Sequence, residues 1–140
     1  MLKQSIRAVK AAKKAGLNVT GTFIVGASVE TKREVINTLE FAKRLGMNAI
    51  GIGPLWVYPG AHVRDELVAK NPGLQEKYWE SGFVPVELGM CQYSQEWLDD
   101  AIGKTLREFY LNPSYITQEL IRIFKDPYRR KLISRKFHRR

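Results

Sequence analysis

Apolar positions along this chain switch between a helical and an extended period in a regular order. From Leu2 to Ala15 they recur at helical spacing, with Leu2, Ile6 and Val9 joined by Ala8, Ala12 and Ala15 in one stripe and five Lys or Arg elsewhere. Lys13 and Lys14 suit the negative end of a helix dipole, and Gly16 supplies a left-handed cap, so the helix is predicted to stop there. Phe23, Ile24 and Val25 then form an unbroken apolar run. It is too short for a helix face, and its β-branched and aromatic content predicts a strand, near Val19 to Val25, buried on both sides in a parallel sheet. Thr31-Lys-Arg-Glu34 fits a capping box. The predicted helix runs from it to about Leu45, burying Val35, Ile36, Leu39 and Ala42, and Gly46 ends it.

The pattern then repeats. Ala12 to Gly21 aligns with Ala42 to Gly51 at an offset of 30 residues, with identity at five of ten positions. The recurring unit is helix, Gly cap, Asn turn, strand. Strand, helix, strand over about 30 residues is a right-handed βαβ crossover, so Ala49 to Leu55 is predicted to lie parallel to the first strand. Trp56 and Tyr58, before the turn at Pro59-Gly60, would stand at the same sheet end as Gly26 to Glu30, the end where α/β folds gather ligands.

Downstream, His62 to Lys70 and Leu74 to Ser81 read as short helices, closed by Asn71-Pro-Gly73 and Gly82. Phe83 to Tyr93 is irregular. Ser94 caps a helix to about Leu111 with Trp97, Leu98, Ala101, Ile102, Leu106, Phe109 and Tyr110 apolar. Asn112-Pro113 breaks it. Tyr115 to Lys125 follows as an amphipathic helix burying Ile116, Leu120, Ile121 and Phe124, and Arg129 to Arg140 is a basic helix or a loose tail.

Composition narrows the chemistry more than the fold. In 140 residues the single Cys91 excludes an internal disulfide framework and any multi-cysteine metal site, and His62 and His138 have no partner at ligand spacing. No apolar run approaches the roughly 18 residues of a membrane span, and no signal-peptide layout is present, so a cytoplasmic location is expected. Nine Lys or Arg and one Asp fall between Arg122 and Arg140, so the tail holds nearly all of the net charge of +9. With Leu132, Ile133 and Phe137 interleaved, it reads as an amphipathic basic segment suited to nucleic acid or to an anionic membrane surface.

Two parallel strands leave two bare edges. Another copy of the chain, or the rest of a longer protein, would have to supply their partners. The residues point to the second. Ala12, Lys13, Gly16, Val19, Gly21, Phe23, Ile24, Gly26, Glu30 and Thr31, then Phe41-Ala-Lys-Arg-Leu45 and Tyr58-Pro-Gly60, resemble the last two strand units of a radical S-adenosylmethionine (SAM) enzyme barrel. Ser94 to Leu98 and Arg107 to Ile116 are similar to the C-terminal extension of its cobalamin-dependent members, which include relatives of magnesium-protoporphyrin cyclase and hopanoid-modifying enzymes. The resemblance implies an α/β fold: a partial (βα) barrel over 1–60, made of the last two parallel βα units of a TIM-like barrel, a connecting segment over 61–93, and a mainly helical extension over 94–140.

It implies a parent enzyme that uses a [4Fe-4S] cluster and SAM to make the 5′-deoxyadenosyl radical, with cobalamin as a further cofactor. The cluster's Cys-x-x-x-Cys-x-x-Cys is absent, so this chain is expected to be catalytically inert alone, with no catalytic or metal-binding residue of its own. The missing N-terminal part of the barrel is its expected partner. For the basic tail, the likeness to lipid- and pigment-modifying relatives implies the anionic membrane surface, and with it a peripheral membrane location. Ser28-Val29 replaces the family's Pro-Gly, and Ala61 the Thr of the final turn. Four residues would line the SAM pocket: Ile24 as a wall against adenine, Gly26 and Glu30 in the loop, and Tyr58 at the mouth. Taken as residues alone, Gly26 reads first as a βα turn, Glu30 as a helix start, Ile24 as core and Tyr58 as loop packing. The alternative is a homodimeric interaction module whose basic tail binds an acidic partner or membrane surface.

Overall fold

A computed structural model of the chain describes residues 2–27, 30–58, 60–70, 72–73, 91, 93–127 and 131. The helix expected over Leu74 to Ser81, nearly all of the irregular Phe83 to Tyr93 stretch, the Ser28-Val29 exchange and all but Lys131 of Arg129 to Arg140 lie outside these residues. In chain order the described elements are α1 (Leu2–Lys14), β1 (Thr20–Val25), α2 (Lys32–Arg44), β2 (Ala49–Pro54), α3 (His62–Lys70), α4 (Gln95–Tyr110) and α5 (Pro113–Lys125). The fold is α/β, a small parallel β1–β2 sheet with helices. Two compact units divide it, Met1–Leu106 and Arg107–Arg140.

The repeat is structural. After α1, Gly16 adopts φ 78° and donates its N–H to the Lys13 carbonyl, while the Leu17 N–H reaches the Ala12 carbonyl, both at 3.0 Å. These two bonds form a Schellman cap, which needs a left-handed residue. After α2, Gly46 has φ 67°. Asn48 then ties the units together: its N–H donates to the Val19 carbonyl at 2.8 Å and its Oδ1 accepts the Val19 N–H at 2.8 Å. Thr31 caps α2 in the expected capping box with Glu34.

The strands are parallel, pairing Gly21 with Ile50, Phe23 with Ile52 and Val25 with Pro54. The repeat aligns Gly21 with Gly51, so equivalent residues of the two units are staggered by one position across the sheet. Register partners share a face. On one face Val25 and Ile50 are buried, and the core joins Val25, Val35, Leu39, Tyr93, Leu98 and Ile102. α2 and the first three turns of α4 therefore cover that side.

Four expectations of burial are corrected. β1 is covered on one face only, and Ile24, on the other, is 63% exposed. α1 buries none of its stripe. A two-strand sheet is only about 10 Å wide, and α2 and α4 already occupy its covered face. Ile36 is exposed because it lies about 100° round α2 from Val35, off the stripe that Val35, Leu39 and Ala42 form. On α5, Ile116, Leu120, Ile121 and Phe124 are exposed. The helix is turned by Tyr115, whose ring packs against Phe109 at 5.0 Å and Tyr110 at 5.3 Å, so the opposite side faces out. Asn112-Pro113 does more than break α4: the Asn112 side chain accepts the Ser114 N–H at 2.9 Å and Pro113 opens α5, where a missing N–H carries no penalty.

Candidate functional site

The open face of the sheet carries Thr22 and Ile24 on β1, paired with Gly51 and Gly53 on β2. A Cβ built on either glycine would meet nothing within 4 Å. The result is a shelf in which an apolar side chain stands beside bare backbone, with room above for a flat, partly apolar group. The signal for it was in the sequence as the alternation Gly51-x-Gly53, but it becomes a site only when the register sets those glycines opposite Thr22 and Ile24.

At the C-terminal end of β1 the backbone turns at buried Gly26, φ 85°. The Gly26 N–H donates to Glu30 Oε2 at 2.7 Å and the Ala27 N–H to the same oxygen at 3.1 Å. The Glu30 N–H returns a bond to the Ala27 carbonyl at 3.1 Å. Glu30 is thus bound into its own loop, one residue before the cap of α2, where the helix dipole favours a carboxylate. Its chemistry is to hold the loop's shape. Next to it, the Glu34 carboxyl is held below the usual glutamate range by the Thr31 backbone N–H and then by the Thr31 hydroxyl.

A segment distant in sequence closes on this loop. The half-buried Cys91 thiol donates to the Ala27 carbonyl at 3.2 Å. Tyr93 is buried in the core against Trp97, ring centroids 4.9 Å apart, and Lys32 stands 5.0 Å over the Trp97 ring. Among the described residues the Tyr93 hydroxyl has no partner at full hydrogen-bond geometry, and the Cys91 thiol is its polar neighbour. Burial pushes its pKa far above the ordinary value, and the neighbouring Cys91 thiol and the Glu30 and Glu34 carboxylates add to that shift. The sequence offered no way to pair positions 91 and 93 with the loop at 26–30.

Of the four residues singled out from sequence, Gly26 and Glu30 come together in one hydrogen-bonded turn. Ile24 lies on the open shelf just before that turn. Tyr58, 63% exposed, sits four positions beyond β2, whose end abuts β1 through the Leu55 N–H bond to the Val25 carbonyl at 2.8 Å. A left-handed Gly60 and an Ala61 N–H bond to the Tyr58 carbonyl at 3.1 Å fold the chain back there. Both Ile24 and Tyr58 present open apolar surface at or near this sheet end. Among the described residues no group of three His, Cys, Asp or Glu side chains could hold a metal ion, and one cysteine does not fit an iron–sulfur cluster. No described helix is long and apolar enough to cross a membrane.

No protein-family model matches the chain. It is similar to a protein of Pyrococcus horikoshii named as an uncharacterized methyltransferase, with 30% identity over 118 residues that make up 84% of this chain and 26% of that protein. The chain therefore spans about a quarter of the length of that relative.

Proposed function

We propose that this chain is the C-terminal portion of a radical SAM methyltransferase that also uses cobalamin, contributing one wall of the SAM and substrate pocket and no catalytic group. The observation that carries the reading is the open shelf of Thr22, Ile24, Gly51 and Gly53 beside the Gly26–Glu30 turn. In a (βα) barrel one face of every strand points inward and the other meets the helices. The covered and open faces here divide the same way, and glycines on the inner face leave space for a ligand. The one-residue stagger between repeat and register supports a barrel too, since eight strands with a shear of about eight slip by about one residue per strand. The name of the Pyrococcus relative supports methyl transfer.

SAM, when bound, would supply the methyl group or the adenosyl radical. Ile24 would pack against the adenine, Tyr58 would close the mouth with an aromatic edge, and Gly26 with Glu30 would fix the loop between them. The cluster would belong to the N-terminal part of the barrel, which would also pair the sheet edges that no described residue covers, and cobalamin to a domain preceding it. The gene upstream of the Met1 codon tests this: an open frame encoding Cys-x-x-x-Cys-x-x-Cys is expected. The longer product, reconstituted anaerobically with iron and sulfide, should give a SAM-responsive [4Fe-4S] paramagnetic signal, and Ile24→Asp should weaken SAM binding at least about tenfold, the equivalent of one buried-group mismatch. An upstream frame without the cysteines, or a SAM-responsive cluster in these 140 residues alone, would overturn it.

A further inference from the structure

α1 carries charge with no counter-charge. Its 13 residues include Lys3, Arg7, Lys10, Lys13 and Lys14 and no Asp or Glu, and the first acidic residue of the chain is Glu30. At about 100° per residue, Lys3, Arg7, Lys10 and Lys14 fall within about 60° of arc, one ridge running about 16 Å along the helix. All four are exposed, and among the described residues none has an ion pair or a hydrogen bond. On other helices cations do find partners: Lys43 and Arg44 meet Glu40, Arg64 meets Asp65, and Arg122 meets Glu119. Lys13 stands off the ridge, and its ammonium donates to the Gly46 carbonyl. We propose that the ridge of Lys3, Arg7, Lys10 and Lys14 binds the phosphate backbone of a single-stranded nucleic acid.

The arrangement selects the partner. Successive cations stand about 4.5–6 Å apart along the axis, a straight row on the scale at which a phosphodiester strand repeats its own charges. A single strand can straighten to follow that row, whereas a strand held in a duplex curves away from it. Backbone contacts of this kind bind without reading bases, and α1 has no aromatic side chain on which a base could stack. A bilayer would ask for more of the helix, because a helix lying in a membrane interface inserts its apolar side. Here Val9 and Ala12 are half-buried on that side, and the cations line only its border next to Ile6, while the border next to Ala8 holds Gln4 and Ala11. The ridge lies off the apolar side, so it stays open to a ligand with or without a further barrel strand beneath α1.

Fluorescence anisotropy of the full chain with labelled polyuridylate, which forms no stable duplex, tests the proposal. Each phosphate contact adds about 0.7 to the slope of log affinity against log salt. Arg7→Gln with Lys10→Gln should therefore make the slope shallower by about 1.4 and lower the affinity about tenfold at about 0.15 M salt. The far-ultraviolet circular dichroism should not change, because both side chains are exposed. Arg33→Gln with Lys70→Gln removes the same charge from α2 and α3 and should change the affinity less than about threefold. Equal losses from the two pairs, an unchanged slope in the α1 variant, no binding to polyuridylate, or tighter binding to duplex RNA, to polyglutamate or to phosphatidylserine vesicles would each overturn it.

Discussion

The backbone N–H of Val19 donates to the side-chain oxygen of Asn48 at 2.8 Å, across 29 positions of sequence. Asn48 is buried, and its own N–H answers to the Val19 carbonyl, so this one side chain fixes where the second repeat begins relative to the first. Its repeat equivalent, Asn18, is exposed. Asn48→Ala should therefore destabilise the fold by about 1–2 kcal/mol, the penalty of stranding the half-buried Val19 N–H, and Asn18→Ala by no more than about 0.5 kcal/mol. Urea denaturation of the two variants checks the asymmetry; equal losses would contradict it.

Gly21 and Gly51 make a second unequal pair. A Cβ at Gly21 would stand 2.4 Å from the Met47 sulfur, whereas one at Gly51 meets nothing. Gly21→Ala should cost about 1–2 kcal/mol, because the buried Met47 must move, and Gly51→Ala should stay within about 0.5 kcal/mol of the parent. Gly21→Ala should cost less in a Met47→Ala background than in the parent, a coupling that a double-mutant cycle measures.

The Glu30 carboxylate accepts two backbone N–H groups of its own loop. Glu30→Ala should cost about 1.5–3 kcal/mol and Glu30→Gln roughly half of that, since Gln keeps one acceptor but not the charge. Amide hydrogen exchange at Gly26 should speed up in the same order. An unchanged Gly26 rate in Glu30→Ala would mean that the turn holds without the carboxylate.

Glu34 sets a pH dependence of known sign. Its folded-state pKa lies below the ordinary value of 4.5, through the Thr31 backbone N–H and then the Thr31 hydroxyl. The stability it contributes is therefore fully present above 4.5 and is lost as the pH falls through the lowered folded value. Stability measured against pH should fall less steeply in that acid window for Glu34→Gln than for the parent, and a carbon-detected titration of Glu34 should give a midpoint below 4.5.

Tyr93 carries a buried hydroxyl whose only contact of this kind among the described residues is a weak one with the Cys91 thiol, short of full hydrogen-bond geometry. Tyr93→Phe should leave stability unchanged or raise it by up to about 1 kcal/mol, because it removes a desolvated polar atom and keeps the ring on Trp97. A clear loss of stability would reveal a bond to that hydroxyl.

What the sequence made legible was what local chemistry decides. The Gly16 and Gly46 caps, the Thr31–Glu34 box, the parallel pairing and the buried stripe of Val35, Leu39 and Ala42 all follow from patterns within a dozen residues or from the repeat. Burial on α1, β1 and α5 did not follow, because an apolar stripe states that a face should be covered and not whether a neighbour is there to cover it. Ile24 shows the difference: its run with Phe23 and Val25 suggests two-sided burial, but Val25 joins the core with α2 and α4 and Phe23 packs on Phe41 of α2, while Ile24 is left on the open face. Likewise Cys91 and Tyr93 reach the Gly26–Glu30 turn through a long-range contact that no spacing announces.

The empty space above Gly51 and Gly53 separates two pressures that usually act together on a strand. A larger side chain at either position would push on no described residue, so the described fold places little constraint on its size. Whatever lies over the sheet would feel that change at once. Sequence drift at these two positions reaches ligand choice before it reaches stability, which makes them the natural places to widen or narrow what the surface accepts.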